Sequence, residues 1–137
     1  MFDVLSDLSW LGFALATLAS IALAGLWFPV LIAKPYVVAL GREEAPAPAS
    51  NLVTNLGPIV CLVVVTFTSA VLLEALQVTS TGDAVLFGLI VGVGYLSAMT
   101  FQIAINPNFP RPLFYGVLNA PFFVLSSVVS AVIITRT

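Results

Sequence analysis

Ten charged residues in a chain of 137 are placed so that four long stretches contain none of them. Residues 8–33, 52–73, 84–105 and 113–135 are uncharged, and each is 22 residues or longer. A helix needs about 20 apolar residues to cross the hydrocarbon of a bilayer. An irregular chain cannot cross it, because lipid offers nothing to unpaired peptide groups. The pattern therefore predicts an all-α integral membrane protein. Its four spans, over about residues 9–33, 52–76, 83–105 and 113–135, form an up-and-down four-helix bundle with both termini on one side.

Composition agrees: 61% of residues are hydrophobic and 7% charged, against about 45–50% and about 25% in soluble domains. Four spans and their connections use nearly the whole chain, so residues 1–137 read as one transmembrane domain. The net charge of −2 is scattered, and no basic patch supports a nucleic-acid partner. Asp3 and Asp7 precede the first apolar run without a Lys or Arg, unlike a cleaved signal, and the first span is expected to be retained. Cys61, the single cysteine, lies in an apolar run and reads as a buried, inert thiol.

Local signals set the boundaries. Asp7 or Ser9 can cap the first helix, Asn51 or Asn55 the second and Asp83 the third. If the second helix starts at Asn51, Pro58 falls inside it and must kink it. Residues 34–50 read as the one real loop, with the Pro/Ala alternation of residues 45–49 as an extended tether. Residues 106–112, NPNFPRP, cannot continue a helix and force a short reversal. Lys34, Arg42 and Arg111 fall on one side and Arg136 on the other, which places the first and third loops in the cytoplasm and both termini outside it. A multi-pass protein of the plasma (inner) membrane is the expected localisation, with the lipid bilayer as its first partner.

Two patterns inside the spans bear on function. Small residues let helices approach closely in lipid, and Gly12, Ala16, Ser20 and Ala24 recur every fourth position, as do Ala84, Gly88 and Gly92. These seams serve packing within the bundle, and the first is long enough to serve a second subunit, so a homo-oligomer or a larger membrane complex is an expected partner. The polar residues Gln102, Asn106, Tyr115 and Asn119 fall at similar depth on two helices joined by a short turn. They are expected to bond between helices or to form a small polar cavity on the Arg111 side, near the carbonyl of Val117 that Pro121 leaves without a donor.

Catalytic chemistry has little to use. Glu74 lies near a span boundary, where a hydrated carboxylate is expected. There is no His, and no paired carboxylates, metal-ligand spacing or phosphate loop. The chain reads as a non-enzyme, with no cofactor implied.

Leu26-Trp27-Phe28-Pro29-Val30-Leu31 with Lys34 and Gly41, the run from Gly88 to Tyr95, and Arg111-Pro112-Leu113 followed by Val117-Leu118-Asn119-Ala120 resemble the bacterial domain of unknown function 1761 family. The chain departs from that pattern at Tyr36, where a tryptophan is expected, and at Pro121-Phe122-Phe123, and the second helix matches thinly. The resemblance implies a small four-span membrane protein and transfers no catalytic or binding residue. Two functions fit: a scaffold or accessory subunit acting through helix association, or a small oligomeric channel or transporter for an ion or neutral polar solute.

Overall fold

In a computed structural model, which describes residues 4–46 and 49–137, all regular structure is helical. A short α1 (Val4–Asp7) precedes α2 (Trp10–Leu31), α3 (Ala33–Ala39), α4 (Leu52–Ala75), α5 (Thr81–Ala104) and α6 (Pro112–Arg136). Helices α2, α4, α5 and α6 are long and apolar enough to cross a membrane, as a multi-pass membrane protein requires.

Side chains that can satisfy orphan N–H groups set the helix starts. Ser9 Oγ accepts from the Gly12 N–H at 3.0 Å. Asn51 and Thr54 form a reciprocal capping box at the start of α4. At α5 the cap is Ser80 rather than the expected Asp83: Ser80 Oγ accepts from the Asp83 N–H at 3.0 Å and donates to its carboxylate at 2.7 Å. The helix starts one turn earlier because the serine reaches the third amide and the aspartate fits the positive end behind it. At the far end of α4, Gln77 takes φ 53°. This lets Val78 N–H reach Leu73 O and Gln77 N–H reach Glu74 O, the pairing of a Schellman stop.

Two features depart from the sequence reading. Part of the expected first loop is the helix α3, with Pro35 in its first turn, where a missing N–H removes no bond. The expected tether falls partly on residues 47 and 48, outside the described residues. Two spans also contain wide π turns, at Trp27–Leu31 and Ile90–Ser97. In the first, Ile32 N–H reaches back five residues to Trp27 O, and the wider turn takes in Pro29. In the second, Ser97 Oγ donates to Gly92 O at 2.7 Å.

Helix α6 is the hub on which α2, α3, α4 and α5 all pack. Contacts with α5 run antiparallel: a Cβ on Gly88 would lie 2.5 Å from Val128 Cα, and one on Gly92 2.7 Å from Val124 Cα. Such approach brings backbones together and gains dispersion contacts that lipid cannot supply. Contacts with α2 also run antiparallel, from Gly12 beside Ile134, through Ser20 beside Ser130, to Trp27 beside Leu118.

Helix α4 is held differently. Its buried residues, Thr66, Ser69, Ala70 and Leu73, all lie in its C-terminal half. There Phe67 meets Trp10 and Phe13 at ring distances of 6.3 and 5.7 Å. From Leu52 to Cys61 no residue is buried, so Cys61 is exposed rather than buried as expected, and no extended contact joins α4 to α5. Pro58 lies inside this free half, where it leaves the Thr54 carbonyl without a helical donor.

Candidate functional site

A cavity of about 560 Å³ runs along α4 from its free half into its held half, between it and the α2–α5–α6 core. From α4 come Pro58, Cys61, Leu62, Val65, Thr66 and Ser69, and from α2 Ala24 and Phe28. Helix α3 adds Tyr36, α5 adds Leu96, and α6 supplies the largest share, from Tyr115 to Ser130. None of these residues is charged. The volume falls within the range of small-molecule sites, about 300–1,000 Å³.

Hydroxyl groups mark the polar part of this wall. Ser20, Ser126 and Ser130 form a buried cluster between α2 and α6, with oxygen separations of 2.9 and 3.1 Å. Ser20 lies midway along its span, where an unpaired hydroxyl would have only hydrocarbon around it. Each interhelical bond of this kind contributes about 0.6 kcal/mol. Ser127 also lines the cavity, but its buried Oγ has no hydrogen-bond partner. Thr17, Thr68, Thr100 and Thr137 each donate to the carbonyl four residues back in their own helix. Ser127 does not take that local solution.

Aromatic rings close the loop side. Tyr36 meets Phe28 edge to face at 5.7 Å and Tyr115 at a tilt at 5.6 Å, and Phe109 meets Tyr115 at 4.9 Å. The Tyr36 hydroxyl donates to that of Tyr115 at 3.4 Å. Burial, and then the shared hydrogen bond with Tyr115, push the Tyr36 phenol well above its ordinary range, so it is neutral at physiological pH. Outside this ring cluster, Arg111 joins Glu43 at 2.7 Å and also donates to Val38 O, tying the first loop to the start of α6.

The Arg111 hydrogen bond holds the exposed Glu43 carboxyl below the usual carboxylate range. A depressed carboxyl contributes its tether above the unfolded pKa, about 4.3, and loses it as pH falls through the folded value. In Glu43→Gln, amides of residues 40–46 should exchange hydrogen several-fold faster at neutral pH. Wild type should show the same loosening only in acid. Equal exchange in the two proteins at pH 7 would remove the tether from the account.

The sequence-expected residues are distributed unevenly. Tyr115 and Asn119 line the cavity, and the Asn119 amide donates to Tyr115 O at 2.7 Å. Gln102 is exposed. Asn106 belongs to the turn, where its side chain bonds Ile103 O and the Asn108 N–H. These two therefore do not join the Tyr115–Asn119 group: α5 ends at Ala104, and Asn106 is used to reverse the chain. Beside Pro121, the Trp27 indole donates to Leu118 O at 3.1 Å, next to the Val117 carbonyl that the proline deprives of its donor. Gly12, Ala16, Ser20, Ala84, Gly88 and Gly92 are buried within the chain, and Ala24 is half-buried at the cavity.

Sequence reasoning missed Tyr36, hidden in a presumed loop, and Ser127, one of several serines on α6. It also missed Thr66 and Ser69. Their three-residue spacing on an otherwise apolar helix was the available signal, because it places two hydroxyls on one face.

No curated protein and no solved structure matches the chain. The model of one family does match, over residues 11–135, and the chain belongs to that family, described as Protein of unknown function (DUF1761).

Proposed function

We propose that this protein is a non-enzymatic binding protein of the bilayer, holding an uncharged molecule in the cavity beside α4 as a small carrier or channel subunit would. The carrying observation is that cavity: about 560 Å³ among the spans, lined by no charged residue and by several serine and threonine residues. A lone ion there would need charge or a dense set of oxygen ligands to replace its water. A neutral occupant needs neither. The bundle is read as up-and-down, with Lys34, Arg42 and Arg111 at the cytoplasmic face of the plasma membrane and both termini opposite.

A second reading, a scaffold or accessory subunit that associates with copies of itself or with a larger complex, is favoured by the free half of α4. Leu52, Val53, Leu56 and Val60 are exposed there, so a neighbouring helix could pack without disturbing the bundle. The small-residue seams are largely taken up against α6 within the chain.

Native mass spectrometry of protein taken directly from its membrane tests both readings. The binding reading expects a retained neutral adduct that is displaced in Val65→Trp, whose indole would project into the cavity that Val65 lines. Wild-type protein with no adduct would overturn it. A single-chain mass throughout would count against association.

A further inference from the structure

Resting on the reading of the cavity as a binding site, we propose that its occupant is a neutral lipid. It has an apolar chain ending in a hydroxyl or carbonyl head, enters sideways from the bilayer past α4, and bonds Ser127 with its head.

Three observations meet here. The loop side is closed by the Phe28, Tyr36, Tyr115 and Phe109 rings, so a water-soluble molecule would have to part a packed aromatic layer. The lateral side is open: α4 shows no buried residue from Leu52 to Cys61, makes no extended contact with α5, and exposes Cys61 at the cavity edge. Inside, Ser127 lines the cavity and is 9% exposed, with its unpaired Oγ turned into the protein, so it meets the head after rotation about its Cα–Cβ bond. Leaving such a group unsatisfied costs about 1–3 kcal/mol, and its helix offers a carbonyl that it does not use.

The chemistry of the head follows from the lining. A phosphate or carboxylate would be buried without a counter-charge, which is prohibitive in hydrocarbon. A hydroxyl or carbonyl needs one or two hydrogen bonds, and Ser127, Thr66 and Ser69 are hydroxyl-bearing residues on facing walls. A head drawn below the interface loses water. That loss is tolerable for a neutral group met by hydroxyls.

The test uses the full chain in lipid nanodiscs with three photoreactive probes: a diacylglycerol, a phosphatidic acid with the same chains, and a neutral water-soluble azidophenyl glucoside. The expected result is diacylglycerol labelling on peptides carrying Thr66 or Ser127, at least about fivefold above phosphatidic acid. Labelling should fall about fivefold in Ser127→Ala, the size of one neutral hydrogen bond, and vanish in Val65→Trp. Ser127→Ala removes an unpaired group, so the test does not depend on the bulkier variant folding. Equal labelling by both lipids, or labelling indifferent to Ser127→Ala, would overturn the proposal. Cavity labelling by the glucoside without diacylglycerol would overturn the lipid class while leaving the binding reading intact. No cavity labelling by any probe, with no native adduct, would overturn both.

Discussion

Replacing Gly88 by alanine should destabilise the bundle by about 1–3 kcal/mol, the range for forcing a methyl into packed space. The obstacle is backbone: an added Cβ would meet Val128 Cα at 2.5 Å, Val128 N at 2.8 Å and Ser127 C at 3.0 Å. No rotamer change relieves such contacts, so α5 must move away from α6 and surrender dispersion along the whole seam. Gly94, six residues on in the same span, has nothing within 4 Å of its would-be Cβ. Gly94→Ala should be neutral, or stabilising by about 0.5–1 kcal/mol through the ordinary helical preference for alanine. Thermal unfolding in matched detergent or steric trapping in bicelles reads both. Similar stabilities for the two variants would mean that the close crossing does not hold the bundle together.

Phe122→Ala should cost about 3 kcal/mol, the lower end of phenyl deletions from protein cores. Lipid solvates an exposed phenyl almost as well as protein does, so the loss is packing rather than transfer from water. Phe122 is 2% exposed and sits against Phe28, Phe123 and Trp27 at ring distances of 5.0, 5.3 and 6.5 Å. Deleting it also unseats the Trp27 indole that donates to Leu118 O beside Pro121. Phe114, on the same helix but 39% exposed, provides the comparison: Phe114→Ala should change stability by less than about 0.5 kcal/mol. A Phe122→Ala protein as stable as that control would contradict the ring packing.

Features governed by local chemistry were legible in the sequence. Absence of charge marks a span wherever it occurs, and Ser9 and Asn51 cap where a short oxygen-bearing side chain precedes an apolar run. Ser80 and Asp83 show the limit, since both types cap and only geometry decides which reaches the free amide. The π turns were not legible because their i→i−5 bonds depend on how Pro29 and the Gly92–Ser97 segment are accommodated by neighbouring helices. The site was half legible. Tyr115 and Asn119 belong to it, but Gln102 and Asn106 were joined to them on depth alone, and depth does not fix azimuth around a helix. The cavity itself was beyond periodicity: it arises because α4 is held at one end by Phe67, Ala70 and Leu73, and a helix pinned at one end reads the same as one packed along its length.

The hub position of α6 sets an order of events during synthesis. Helices α2, α4 and α5 leave the ribosome before the helix on which all of them pack, and α4 has no extended contact with α5. Until α6 enters, Gly88 and Gly92 face lipid rather than Val128 and Val124, and Ser20 lacks Ser126 and Ser130. For that interval the three earlier spans are a loosely held set with an unpaired hydroxyl at mid-depth, open to chaperones or degradation. Arrival of the fourth span closes both seams at once, so assembly should be all-or-none at the last insertion rather than stepwise.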